Sequence, residues 1–157
     1  MILLDSNILI RLVNLNDPRH QTAQDAIHEL SEQSEELVVA PQCLYEFWVV
    51  STRPTEARGG LGRTVKETYT DIQEFLRLFR LIDDDALFAP WLNLVKGALV
   101  SGTAAHDARL VALMKRAGIA AVLTFNTDDF ARFAEIVAVS PAEIIAGATP
   151  WSGTQGS

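Results

Sequence analysis

Met1 to Leu4 form a short apolar run that stops at Asp5, and apolar positions resume from Ile8 to Val13 beyond the polar trio Asp5-Ser6-Asn7. This pattern predicts a buried strand, a tight polar turn and a helix. Ala23, Ala26, Ile27 and Leu30 recur at helical spacing and predict a second helix from His20 to Leu30, with Asp17 as its N-cap and Pro18 at its first position. Leu37-Val38-Val39-Ala40 reads as a second buried strand. Pro41 then opens a helix to about Val50, which Arg53-Pro54 terminates. The breaker-rich stretch from Thr55 to Gly62 predicts a flexible exposed loop. Helical spacing returns with Val65, Tyr69, Ile72, Leu76 and Phe79, and Leu81-Ile82 suits a short third strand. Asp83 to Asp85 offer N-caps for a helix over 86–100, and Ser101-Gly102-Thr103 separates it from a helix over 104–117 that Gly118 stops. Residues 119–125 and 136–139 predict the fourth and fifth strands, and Ser140-Pro141-Ala142-Glu143 has capping-box spacing for a last short helix. Strands alternating with helices imply an α/β sandwich with a mostly parallel sheet. One domain over 1–148 is expected, with 149–157 a flexible C-terminal tail.

The chain has 157 residues, 48% apolar and 21% charged, which fits one globular domain and excludes intrinsic disorder, collagen and coiled coil. The longest nearly apolar stretch, Ala117 to Phe125, is far shorter than the ~18 residues a membrane-spanning helix needs, so no membrane association is expected. The N-terminus lacks a basic region and meets Asp5 before a signal-peptide core could form, which makes a cytoplasmic location the expectation. The single cysteine, Cys43, can form no internal disulfide and has no neighbours for a zinc site; its apolar flank suggests a buried, inert thiol. A formal charge of −7 rules out a polybasic duplex-DNA binder, so any nucleic-acid role must rest on a local basic patch, a metal or a basic partner. Arg53, Arg58, Arg63 and Lys66 are the densest cationic stretch and the candidate contacts for such a ligand; a merely solvated surface is the other reading.

The carboxylates carry more information. In open parallel sheets, ligands bind beyond the carboxyl ends of the strands, where Asp5 follows the first strand and Asn126-Thr127-Asp128-Asp129 follow the fourth. Glu46 sits in the helix after the second strand among Leu44, Tyr45, Phe47 and Trp48, a costly place for a charge unless it is paired or bound. Asp107 occupies the first turn of a helix whose later positions are apolar. Singly, Asp5 also suits a helix cap, Asp107 the helix dipole, and Asp128 or Asp129 a turn. Jointly they resemble an oxygen cage for Mg²⁺ or Mn²⁺, because hard divalent cations prefer carboxylates and water. His20 and His28 fall on a polar helix, and His106, one residue from Asp107, is expected to point to a different side of its helix.

Four segments, Asp5-Ser6-Asn7-Ile8-Leu9-Ile10, Glu46-Phe47-Trp48 with Arg53-Pro54, His106-Asp107-Ala108, and Leu123-Thr124-Phe125-Asn126-Thr127-Asp128-Asp129-Phe130, resemble in order and separation the PIN-domain nucleases. The short chain is similar to the VapC-type toxins of toxin–antitoxin pairs. The resemblance implies a three-layer α/β/α sandwich with about five strands and a Mg²⁺-dependent endoribonuclease, with Mn²⁺ as a possible substitute. It also implies a homodimer, held inactive by a small antitoxin whose C-terminal segment lies in the active-site groove. Carried over by position, Asp5, Glu46 and Asp107 are the principal acidic residues and metal ligands, and Asn7 orients Asp5 or the attacking water. Ser6 stands where Thr is commoner. Asn126 occupies a place where many relatives have Asp, so Asp129 is the expected fourth carboxylate, with Asn126 beside it on a single helical turn and Asp128 turned away.

Other classes fit less well. A receiver-like binding module calls for paired Asp residues at the first strand end and a Lys after a later strand, and an aspartyl-phosphate phosphotransferase calls for Asp-x-Asp where this chain has Asp5-Ser6-Asn7. A catalytically silent PIN scaffold acting through protein or RNA binding is the stronger rival, against which the intact Asp5, Glu46 and Asp107 count.

Overall fold

A computed structural model describes residues 1–149; most of the expected C-terminal tail, from residue 150 on, lies outside the described residues. The elements in chain order are β1 (Ile2–Leu4), α1 (Ser6–Val13), α2 (His20–Glu32), β2 (Leu37–Val39), α3 (Pro41–Thr52), α4 (Val65–Leu78), β3 (Arg80–Leu81), α5 (Phe88–Gly97), α6 (Ala104–Ala117), β4 (Ala121–Leu123), a 3-10 turn (Thr127–Phe130), β5 (Val137–Val139) and α7 (Pro141–Ile145). The five strands form one sheet in the order β3-β2-β1-β4-β5, and every pairing is parallel. Helices cover the sheet as an α/β/α sandwich. The chain moves outward from β1 to β3 and then crosses back to β4, and the right-handedness of parallel crossovers puts α5 and α6, which pack on each other, on the face opposite the earlier helices.

The central strands β1, β2 and β4 are buried at every position, as their unbroken apolar runs require of a sheet covered on both sides. The edge strand β3 is two residues long and exposed. Ile2, Leu3, Leu4, Ile8, Phe47, Leu113, Met114 and Leu123 are fully enclosed in the one core. Phe47 meets Phe75 edge-on with centroids 5.1 Å apart, which locks α3 to α4.

Several local expectations are corrected. α1 begins at Ser6, directly after Asp5, so the polar trio is a cap and first turn rather than a separate turn. α2 begins two residues later than Pro18, with Arg19 at the cap; the Asp17 carboxylate accepts from the Arg19 backbone N–H and side chain instead. α5 starts at Phe88 and ends at Gly97, because Asp83–Asp85 form their own turn, gripped by the Arg116 guanidinium through the carbonyls of Asp83 and Asp85. The third strand lies one residue earlier than expected, and the fourth is trimmed to three residues where the chain turns after Leu123.

The glycine-rich stretch after α3 is not a loose loop. Its backbone folds back on the helix, with Leu61 N–H donating to Val50 O (3.1 Å), Gly62 N–H to Arg53 O (2.8 Å) and Arg63 N–H to Ser51 O (2.8 Å). These bonds satisfy carbonyls that a helix end otherwise leaves open. A Cβ on Gly60 would stand 2.1 Å from Pro54 O and 2.6 Å from Arg53 O, so the glycine there serves close backbone approach rather than mobility.

Candidate functional site

The site is built at the carboxyl ends of β1 and β4, where strand order reverses and a crevice opens between diverging connections. Asp5 caps α1, its Oδ1 accepting from the Ser6 N–H at 2.7 Å. The capping role and a site role therefore coexist. Its Oδ2 accepts from the Asn7 amide (2.8 Å) and from the Thr124 hydroxyl (2.7 Å). Asn7 is buried and saturated: its amide also donates to Thr124 Oγ1 (2.9 Å), and its Oδ1 accepts from the Phe125 N–H (3.0 Å). Asn7 thus stitches β1 to the end of β4, and its contacts are with Asp5 rather than with the open cleft.

Thr124 is the residue that sequence reading passed over. It is fully buried, bonded to Asp5 and Asn7, and it accepts the Asn126 N–H (3.0 Å). The signal was available, since a hydroxyl ending the apolar run Ala121-Val122-Leu123 must find a partner once buried. Ser6 supplies the other link. Its hydroxyl donates to Glu46 Oε2 at 2.7 Å and lies 3.4 Å from Asp5 Oδ1, so one hydroxyl spans two carboxylates. Gln42, one turn before Glu46, donates to Glu46 Oε1 and to the His106 carbonyl, both at 3.0 Å, and its own Oε1 accepts from Arg109, which in turn pairs with Asp84 at 2.6 Å.

Glu46, Asp107 and Asp129 line one cleft of about 580 Å³ together with Gln42, Tyr45, Thr103 and His106. His106 is therefore beside Asp107 on the cleft and not turned away, because the cleft opens at the first turn of α6, where side chains fan outward. The segment 127–130 is the single turn expected, and it is Asp129, not Asp128, that lines the cleft. Asn126 precedes that turn, its carbonyl accepting the Asp129 N–H at 3.2 Å. Of the cationic candidates, Arg63 is committed to Asp71 (2.6 Å), and Arg53 donates to the Arg58 carbonyl (2.9 Å). Cys43 is buried, and burial with the nearby Asp5 and Glu46 charges pushes its thiol well up, which leaves it inert.

The electrostatics follow from the geometry. Burial raises the Asp5 pKa, opposed by the bonds from Thr124 and Ser6 and reinforced by Glu46. Asp107 is pushed up to about 6, first by burial and then by the charges of Asp129, Asp5 and Glu46. The charges of Asp129, Asp5 and Glu46 bearing on Asp107, in an all-oxygen donor set, fit a hard divalent ion. Glu46, Asp107 and Asp129 are arranged around a cleft rather than in a tight knot; among the described residues the carboxylates whose oxygens all approach within 4.8 Å are those of Asp83, Asp84 and Asp85, where Arg109 pairs with Asp84 and Arg116 holds the backbone carbonyls of Asp83 and Asp85. Cavity size does not locate the chemistry either. A larger cavity of about 760 Å³ lies between α5, α6 and the segment before β5, and its one carboxylate, Glu135, pairs with Lys115.

A stability measurement tests the cage. Asp107 binds its proton more tightly in the folded state (about 6) than in the unfolded chain (about 3.9), so the stability it contributes is complete below the lower value and is lost as pH rises through the higher one. The metal-free protein should lose melting temperature over that window, and Asp107→Asn should flatten the loss. With the effect discounted for the half-open cleft, a gain of roughly 2–4 °C for the variant at neutral pH is expected. Parallel pH profiles for wild type and variant would remove Asp107 from any charged cage.

Similarity to known proteins follows the same outline. The chain aligns over 89% of its length with VapBC2 from Rickettsia felis bound to a promoter DNA fragment, covering 98% of that chain at 15% identity and a TM-score of 0.65. It aligns over 90% with VapBC-1 of nontypeable Haemophilus influenzae (99% of that chain, 19% identity, TM-score 0.60). A third structure, Mycobacterium tuberculosis VapC20, a Sarcin-Ricin loop cleaving toxin, matches over 85% (95% of that chain, 20% identity, TM-score 0.58). No curated protein matches by sequence. At these identities the structures share the fold. The sequence itself carries the family assignment: residues 2–136, from β1 to the threshold of β5 and including all four cleft carboxylates, match the PIN domain, and the chain belongs to that family.

Proposed function

We propose that the protein is a Mg²⁺-dependent endoribonuclease, served also by Mn²⁺, that acts as the toxin of a toxin–antitoxin pair. The observation that carries this reading is Asp107 set against the charges of Asp129, Asp5 and Glu46, with Asp5 held by Asn7, Thr124 and Ser6. A bound divalent ion supplies water of lowered pKa and charge neutralisation at the scissile phosphate. Asp5 and Asp107 would hold it directly, with Glu46 and Asp129 on its water or on a second ion. The protein's own work is positioning. Asn7 and Thr124 fix Asp5 Oδ2, Ser6 ties Asp5 to Glu46, and Gln42 sets Glu46 against the start of α6.

The toxin reading draws on the likeness to VapBC complexes, in which VapC-type chains are found with antitoxins. On this reading the partner is a small antitoxin that carries a basic residue to the carboxylates, and the protein works in the cytoplasm as a homodimer. The fold contains no helix long and apolar enough to cross a membrane among its described residues. The decisive test is cleavage of RNA by the purified chain with Mg²⁺ or Mn²⁺ and its loss in excess EDTA. Undiminished cutting in EDTA would sink the metal mechanism.

The fourth carboxylate has its own test. Asp129→Asn should lower the cleavage rate and raise the Mg²⁺ concentration needed for half-maximal activity, whereas Asp128→Asn should leave both within about twofold. The opposite ranking would reassign the role to Asp128, and silence from both would mean that three carboxylates suffice.

A further inference from the structure

Ten ångströms or so from the carboxylates lies a second concavity of opposite charge. α3 rises 1.5 Å per residue, so Arg53 stands about 10 Å along it from Glu46, and Glu46, Val50 and Arg53 share a face. The C-terminal end of α3 borders a cavity of about 370 Å³ lined by Arg11, Arg19 and Arg53 with a single carboxylate, Asp17. In a chain of net charge −7, three guanidinium groups against one lining carboxylate leave a local excess of positive charge. Asp17 pairs with Arg19 at 3.2 Å and with Arg11 at 3.6 Å, and an aromatic ring backs both cations. The guanidinium carbons of Arg11 and Arg19 lie 5.3 and 5.5 Å from the Phe125 ring centroid, within cation–π range. Arg11 donates to the Asn7 carbonyl (3.0 Å), and Phe125 donates its N–H to Asn7 Oδ1, so the pocket and the carboxylate site are fastened to the same residue. Arg11 Nε is buried without a hydrogen bond, 3.6 Å from Asp17, and burial and then the Arg19 charge lower the Arg11 pKa. An anion would relieve that repulsion.

We propose that Arg11, Arg19 and Arg53, backed by Phe125, form a pocket for a phosphate of the RNA backbone and so set the path of the substrate strand along α3 from the carboxylate cleft. The inference rests on the ribonuclease reading above. It resolves how an acidic protein attracts a polyanion to an anionic crevice: the cleft holds the scissile phosphate only through a cation, and the neighbouring pocket supplies the direct attraction. It also reassigns the contacts expected from sequence, since Arg63 is spent on Asp71 while Arg11 and Arg19, from an unremarked helix and turn, take its place.

The test uses the full chain and a labelled short single-stranded RNA of mixed sequence, titrated in EDTA over a range of NaCl. Arg19→Gln is the variant, because Arg19 is half exposed and donates among side chains to Asp17, so its loss leaves the core intact. Arg77→Gln on α4, paired with Glu74 at the surface, makes the same charge change elsewhere. Arg19→Gln is expected to weaken RNA binding roughly tenfold regardless of sequence and to flatten the salt slope by about 0.7, with Arg77→Gln near wild type. With Mg²⁺ present it should raise KM with kcat within about twofold, and stabilisation by Mn²⁺ should be unchanged. Unchanged affinity and salt slope in a wild type that cleaves RNA would overturn the pocket while leaving the nuclease reading intact. Binding that depends on Arg19 without cleavage by any divalent ion would support the pocket and sink the nuclease. Retention of poly-glutamate but not RNA would make this a protein-docking site and overturn the proposal.

Discussion

Asp107→Asn is expected to abolish RNA cleavage, by more than about 100-fold, while the protein stays folded. Loss of a hydrogen-bond partner of a metal ligand already costs about 10–100-fold, and removing the ligand's charge should cost more. The amide has the carboxylate's shape, and the charges that bear on Asp107 are chiefly the negative ones of Asp129, Asp5 and Glu46, with His106 the smaller opposing one. Stability should therefore not fall at neutral pH, and the protection that Mg²⁺ gives against unfolding should shrink, because a ligand stabilises only the state that binds it. Cleavage assays with melting curves at several Mg²⁺ concentrations separate the two effects. A variant that cuts at wild-type rate, or one that loses its folded circular dichroism spectrum, would contradict the assignment.

Thr124→Val is expected to damage both the fold and the activity, which makes it the complement of Asp107→Asn. The substitution keeps the volume of a fully buried side chain but removes a donor to Asp5 and an acceptor for both the Asn7 amide and the Asn126 N–H. Leaving buried polar groups unpaired costs about 1–3 kcal/mol, roughly 3–10 °C of melting temperature in a chain of this size. Activity should drop about 10–100-fold, as for an outer partner of a metal ligand. Thr124→Ser, which restores the hydroxyl, should recover most of both. Recovery of stability without recovery of activity would mean that Thr124 holds the strand end and not Asp5.

What could be read from sequence divides along physical lines. The three buried strands were legible because a two-sided buried strand is a short unbroken apolar run, as Leu37-Val38-Val39 is. The ends of α2 and α5 were not, because Asp17 and Asp83 can satisfy a nearby N–H without opening a helix, and only the backbone conformation distinguishes the two. Glycines mislead in the same way: the stretch from Thr55 to Gly62 has the composition of a loose loop, yet Gly60 is there to let two backbones touch. At the site, charged residues on apolar elements announced themselves, as Glu46 did. Gln42 did not, since a neutral polar side chain has no cost until its burial is known, and burial is a property of the fold.

The pairing of β1 between β2 and β4 bears on when activity can arise during synthesis. Asp5 and the hydroxyl that holds it, that of Thr124, stand 119 residues apart in the chain, and β4 pairs with β5 as well as with β1. Long-range parallel pairing of this kind forms late, after its connections are complete. A nascent chain can therefore fold α1 to α4 on the first strands and still lack a complete crevice until β4 and Thr124 have emerged. On the proposed reading, a chain still being synthesised cannot cut RNA before Thr124 and β4 are in place, and that interval is time in which a partner can arrive.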